Sequence, residues 1–298
     1  DEDRDGITFG INCDEETIWL LRPDETVADE THLLNIPDSF TWGRIPDISG
    51  GWEVTEPTQG EENRPVDRRS SLIYDPFGVV EIDLTLSDES IQSLWQDANT
   101  YVDGTFQLTY PDGSQTEELS VGVRLKGGFG SFENLDGKAA FKIKFNWEDG
   151  GDRFLGLKRM TLNNMTQDHS MIHEALAYKI LGHVSPIVPQ WGYAFIRLNG
   201  EIYGLYFNLE TYDDISLYQL YPSTQHLYES GYGSDVIPRS IMSYEVDEGD
   251  EDDRSDLETL VAVANDPRDN TWLGARAHEA AHDQRHRKWA VELSTGNF

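Results

Sequence analysis

The sequence predicts an α+β fold, and three observations predict it. Residues 154–210 read as strand, helix and hairpin in turn. Residues 79–125 hold strand patterns around one short amphipathic helix and one turn. Residues 7–63 are β-rich. In the first stretch Met160, Leu162 and Asn164 alternate, as a strand requires. Asp168 or Ser170 can cap a helix by accepting a backbone N–H bond. Ile172, Ala175, Leu176, Lys179 and Ile180 then recur at helical spacing, with the Lys179 tip reaching out from an apolar stem, and Gly182 supplies the stop. Trp191 to Leu198 and Ile202 to Leu209 are two strands joined by Asn199-Gly200. Asn-Gly between apolar runs marks a type I′ hairpin, whose two central residues need positive φ.

Elsewhere the same rules give shorter elements. Thr17 to Leu21 is a strand, followed by a turn over Arg22 to Thr26, where Pro23 sets φ and Asp24 can bond its own backbone. Residues 65–72 are polar, lack periodicity and read as a linker. Val79 to Leu86 alternates as a strand. Ser87 then caps a short helix carrying Ile91, Leu94 and Trp95. Phe106 to Tyr110 and Glu118 to Leu125 flank the turn Pro111-Asp112-Gly113-Ser114.

Composition bounds the function. The chain has 298 residues, room for two domains at roughly 150 each, and 38% are hydrophobic. No run reaches the ~18 apolar residues of a membrane span. The net charge of −32 argues against nucleic acid as a partner, because an acidic surface repels a phosphate backbone. Seven of the 23 basic residues are Lys. High acid with little Lys is the composition of a solvated surface in a salty medium, with divalent-cation binding as the alternative for particular carboxylates. Cys13 is alone, so no internal disulfide forms, which leaves an extracellular location open. The chain has no initiator Met and no signal segment, so it is expected to begin inside a longer precursor or after processing.

Several groups could carry chemistry. Asp1, Asp3, Asp5 and Gly6 form the first half of a Ca²⁺ loop, but its twelfth position is Asn12, and a solvated acidic linker has the same appearance. Arg124 and Lys126 share one face of a strand that runs into the glycine-rich loop Gly127-Gly128-Phe129-Gly130-Ser131. Such a loop lets backbone N–H groups approach phosphate, although a hairpin turn uses glycines equally well. Ala140 to Phe145 is a second strand, with Lys142 and Lys144 on one face and Phe141, Ile143 and Phe145 on the other. Solvated lysines on an outer face are the default; in a chain of this charge, the four cations together can instead form a positive pocket that attracts an anion such as ATP. His169 and His173, like His278, His282 and His286, stand four apart, a spacing that suits metal ligands and equally a helix surface. Ser255 as cap, with Asp256 and Glu258 in the first turn, opposes a helix dipole.

The central stretch resembles the spore coat protein H (CotH) kinase family. The residues that carry the resemblance are Leu155 to Lys158, Leu162 to Asn164, Asp168 to Ser170, Ala177 to Lys179, Asn199 to Tyr206 and Glu210. Leu84 to Ser87 and Val123 to Gly127 extend it. It implies an atypical protein-kinase-like domain over residues 73–298, incomplete at its C-terminus. It also implies that Arg124, Lys126, Lys142 and Lys144 belong to a nucleotide site, and a kinase-like site would pair Glu210 with Lys142 or Lys144. The implied cofactors are ATP and Mg²⁺. In the family a helix is followed by Gly-Asn-Trp-Asp, with the Asp as catalytic and metal-binding carboxylate; this chain ends Gly296-Asn297-Phe298. It is therefore expected to be an inactive fragment of a secreted kinase acting on Ser or Thr of coat or extracellular proteins. The alternative is a non-catalytic structural or adhesion module of a coat, cell wall or cell surface. Gly43, Arg44, Pro46, Asp47, Trp52, Pro57, Thr58, Gly60 and Asn63 resemble the closing half of a lamin-tail-like domain, implying a partial immunoglobulin-like β-sandwich over residues 1–64.

Overall fold

The computed structural model describes residues 16–33, 36, 40–128, 130–183, 188–221, 224–231, 233–265 and 288–292. Asp1, Asp3 and Asp5, His278, His282 and His286, and the Gly296-Asn297-Phe298 end lie outside them. The chain divides into two units, one of Asp1–Pro65 with Ser216–Phe298 and the other of Val66–Ile215.

In the first unit β1 (Thr17–Leu21) pairs antiparallel with β2 (Val27–His32), and β3 (Thr41–Ile45) with β4 (Gly51–Thr55). The β1–β2 turn is held as predicted, with Asp24 Oδ1 accepting from the Thr26 amide at 3.1 Å. Side chains tie the hairpins together: Arg44 reaches Asp29 at 2.5 Å, and Trp42 Nε1 donates to Thr31 Oγ1 at 2.7 Å. Arg44 also stacks 4.7 Å from the Trp52 ring centre, and Asn63 Nδ2 donates to the Arg44 carbonyl at 3.1 Å. Arg44, Trp52 and Asn63 thus meet in one place. The expected sandwich is, among the described residues, these two two-stranded sheets.

The second unit is a closed seven-stranded barrel. Its strands are β5 (Val80–Leu86), β6 (Val102–Thr109), β7 (Leu119–Lys126), β8 (Ala140–Lys144), β9 (Arg159–Asn163), β10 (Trp191–Leu198) and β11 (Glu201–Glu210). β5 to β9 form an antiparallel meander; β11 joins β9, and β10 closes the ring by pairing parallel with β5. Alternation decides which side chains fill it. Ile82, Leu84, Phe106, Leu108, Val123, Phe141, Ile143, Met160, Leu162 and Tyr206 are all buried in one cluster. The stretch 65–72, expected as a linker, is packed: residues Arg69–Ile73 form a 3₁₀ helix in which Ser70 and Ile73 are buried. Asn208 Nδ2 donates to the Ile73 carbonyl at 3.0 Å, and a Cβ on Gly192 would meet the Ile73 oxygen at 3.3 Å, so this segment lies tight against the barrel.

The predicted hairpin turn is present, with φ of 50° at Asn199 and 82° at Gly200. Asn199 does more than tolerate that conformation. Its Oδ1 accepts from the Leu86 amide at 2.8 Å, and its Nδ2 donates to the Leu86 carbonyl at 3.0 Å, so one side chain extends the β5–β10 seam. Replacing it with Ala strands both backbone groups in a partly buried place. Asn199→Ala is expected to destabilise the chain by about 1–3 kcal/mol. Denaturant unfolding checks this, and an unchanged midpoint would show that the seam does not need the amide.

Helix α1 (Asp88–Gln96) starts at Ser87, whose side chain accepts from the Ser90 amide as expected. Helix α2 (His173–Leu181) follows Asp168, whose carboxylate accepts from the His173 amide at 2.8 Å. It packs on the outer face of the barrel through Ala175 and Tyr178, with the Tyr178 ring stacked on Phe207 at 5.9 Å. Of the apolar recurrence read from the sequence, Ala175 is buried, whereas Ile172, Leu176 and Ile180 are exposed. Helix α3 (Asp214–Leu220) begins where the barrel unit ends. In the first unit β12 (Thr224–Ser230) lies between β13 (Tyr244–Glu248) and β14 (Lys288–Glu292), and α4 (Ser255–Ala264) packs Leu257 and Val261 against Tyr228 and Tyr244.

Candidate functional site

The four predicted cations do gather, on the outer face of β7 and β8. Register makes this a grid. Arg124 stands opposite Lys142, and Lys142 opposite Thr161. Two residues along, about 6.8 Å at strand rise, Gly122 stands opposite Lys144, and Lys144 opposite Arg159. In the other direction Lys126 stands opposite Ala140. Two like-charged pairs, Arg124 with Lys142 and Lys144 with Arg159, therefore face each other directly across strands. Like charges in that position repel. Among the described residues no ion pair joins Arg124, Lys142, Lys144 or Arg159 to a carboxylate, in a chain with 55 acidic residues.

Lys126 is held differently. Ala140 leaves room beside it, and its Nζ donates to Asn163 Oδ1 at 2.6 Å. Asn163 Nδ2 in turn donates to Glu174 Oε1, on α2, at 2.9 Å. The amide thus links a lysine to a carboxylate on a separate helix. Burial raises the Glu174 pKa above its ordinary value, against the opposing pull of the Asn163 hydrogen bond and Lys126. The sequence does not mark Asn163 and Glu174 as partners; Thr161 and Asn163 alternating on one strand face is the available signal. The loop beyond Lys126 turns at Gly127, with φ of 130°, where a Cβ would fall 2.8 Å from the Phe132 backbone. Asn164 anchors it by donating to the carbonyls of Ser131 at 3.0 Å and Lys138 at 2.8 Å.

Glu210 corrects an expectation. It does not pair with Lys142 or Lys144. It stands opposite Met160, which stands opposite Ile143, so it shares the inward face of these strands while the lysines point outward. Its carboxylate accepts from the Gln190 amide at 2.8 Å and from Gln190 Nε2 at 3.2 Å. Burial raises its pKa above the ordinary 4.5, and the nearby Asp213 adds to this. A carboxyl whose folded pKa is raised contributes stability that is present below pH 4.5 and is lost as pH rises through the folded pKa. Glu210→Gln keeps the shape and removes the charge. The melting temperature of the variant is therefore expected to gain on the unaltered chain as pH rises from 4.5 to neutrality. A gap that stays constant with pH would contradict this.

Near the same end, Lys158 forms a buried ion pair with Asp214 at the start of α3. In the first unit Asp256, expected only to oppose a helix dipole, is a buried hub: Tyr228 donates to it at 2.5 Å, its own α4 neighbour Leu257 donates at 2.7 Å, and His226 Nδ1 lies 2.7 Å away. His173 is exposed and lies 2.8 Å from Asp168. Among the described residues no three His, Cys, Asp or Glu side chains gather as a metal site.

In comparison with known proteins, the family model described as CotH kinase protein matches residues 123–276, from within β7 onward through α4. No curated protein matches the chain.

Proposed function

From the premise that this chain belongs to the CotH kinase protein family, we propose that the outer face of β7 to β9 receives the polyphosphate of ATP in a kinase-like phosphoryl transfer. Membership supports nucleotide and metal use in general terms; the assignment to this face rests on the cation grid. The observation that carries it is the pair of like-charged contacts, Arg124 with Lys142 and Lys144 with Arg159, none of the four in an ion pair among the described residues. Such an arrangement costs stability and is offset when an anion lies across it.

The residues have distinct tasks in this reading. Arg124 offers a planar fork for two phosphoryl oxygens, whereas Lys142 and Lys144 act as point charges. Lys126 is oriented by Asn163 and Glu174, so its ammonium arrives at the phosphate already positioned. Gly127 brings the chain around without a side chain at the end of the grid. A bound Mg²⁺ would neutralise phosphate charge and orient the transferred group. The acceptor is proposed to be Ser or Thr of an extracellular, coat or cell-surface protein. Among the described residues no helix is long and apolar enough to cross a membrane.

A second reading, a non-catalytic adhesion module, is favoured by the β1–β2 hairpin, where Trp19, Leu20 and Leu21 are exposed. Radiolabelled ATP with Mg²⁺, mixed coat or surface proteins and this chain decides between them. Label transfer together with saturable ATP binding supports the kinase; absence of both in a folded sample supports the module.

A further inference from the structure

The cation grid ends on aromatic rings that phosphate alone does not explain. At the end away from the glycine loop, Asp103, Gly122, Lys144 and Arg159 stand in one row across β6 to β9. Gly122 leaves a space in that row, and Trp147 fills it. A Cβ on Gly122 would lie 2.6 Å from the indole, so the ring rests directly on the strand. Trp147 Nε1 donates to Asp103 Oδ1 at 2.6 Å, which fixes the ring in its plane. Tyr101 lies beside it, with ring centres 6.0 Å apart and planes inclined by 38°. Two grid cations rest on these rings: Arg124 is 5.3 Å from the Tyr101 centre, and the Lys144 ammonium is 5.8 Å from Tyr101 and 5.7 Å from Trp147. Both rings are half-buried.

We propose that Tyr101 and Trp147 form a stacking shelf for the nucleobase, so that the nucleotide lies along β7 and β8 with its base at Trp147 and its terminal phosphate at Lys126. The inference rests on the nucleotide reading above and adds the recognition of the base. Its warrant is order and length. Rings, then Arg124 with Lys142, then Lys126 and the glycine turn follow one another over four strand residues, about 13 Å. A π face accepts a base of any identity, and base stacking on aromatic side chains is sequence-tolerant. The cations on the rings also have a use in this arrangement. When a base takes the ring face, Arg124 and Lys144 are released toward phosphate, and the rings have until then kept them from acidic partners.

Calorimetry on the whole chain tests this with two probes, ATP and inorganic tripolyphosphate, at the same Mg²⁺ and salt concentrations. The variants are Trp147→Leu, Tyr101→Leu and the conservative Trp147→Phe, each checked for folding by thermal unfolding. ATP is expected to bind about tenfold more tightly than tripolyphosphate, with that advantage falling to about twofold or less in the Leu variants and persisting in Trp147→Phe. Equal affinity for the two probes overturns the shelf and leaves the anion face standing. An ATP advantage that survives both Leu substitutions does the same. If neither probe binds, the nucleotide reading falls and takes the shelf with it. Should Trp147→Leu fail to fold, Tyr101→Leu and the comparison of probes on the unaltered chain decide.

Discussion

Lys158→Met is expected to destabilise the chain by about 3–5 kcal/mol, the cost of leaving one partner of a buried ion pair uncompensated. The Lys158 side chain is 8% exposed and that of Asp214 15%. Asp214 Oδ1 already accepts from the Ile215 amide at 3.0 Å, and its Oδ2 is buried without a hydrogen-bond partner. Removing the ammonium leaves a carboxylate with little water and one backbone donor. The test is a cycle rather than a single variant. Lys158→Met with Asp214→Leu replaces both charges by apolar groups and should recover most of the loss, because desolvating a pair offsets much of its attraction. Denaturant midpoints for the three variants measure it. A single substitution that costs nothing, or a double variant no better than the single, would show that the pair is not what secures this corner of the barrel.

Lys142→Ala with Lys144→Ala should separate binding from stability. ATP affinity is expected to fall roughly 100-fold, since each charged hydrogen bond to phosphate contributes about 1.5–3 kcal/mol. The melting temperature should hold or rise, because each substitution removes one member of a like-charged cross-strand pair worth about 0.2–1 kcal/mol of repulsion. Neither side chain is buried and neither forms an ion pair among the described residues, so the main loss to set against this is the Lys144 contact with the Tyr101 and Trp147 rings, about 0.5–1 kcal/mol. Unchanged ATP affinity would remove these lysines from the nucleotide site. A large fall in melting temperature would make them structural instead.

The hairpin at Asn199-Gly200 and the cap at Ser87 were legible in the sequence because each is enforced by its own few residues. The cation grid was partly legible: alternation placed Lys142 with Lys144, and Arg124 with Lys126, but only register could set Arg159 beside Lys144. Glu210 was misplaced for a physical reason. β11 is apolar on both faces, with Tyr206 inside the barrel and Phe207 under α2, so hydropathy did not say which face the glutamate shares. The same ambiguity left only part of the α2 recurrence in the core. Ile172, Leu176 and Ile180 look like a core stripe, yet Ala175 and Tyr178 make the contact because a small residue and a ring fit against Phe207. Asp256 in a helix first turn looks like an electrostatic embellishment until the partners on β12 are known.

The parallel pairing of β5 with β10 also sets a schedule for biosynthesis. β5 ends at Leu86 and β10 starts at Trp191, so a ribosome adding about 5–20 residues per second delivers β10, the first strand of the closing hairpin, about 5–20 s after the first strand is made. Until then the meander β5 to β9 is an open sheet with both lateral edges bare, one awaiting β10 and the other β11. Bare edges recruit other strands. A nascent chain stalled or cleaved before Leu198 is therefore an aggregation template, and holdase chaperones should be found on it in that interval and released once the ring has closed.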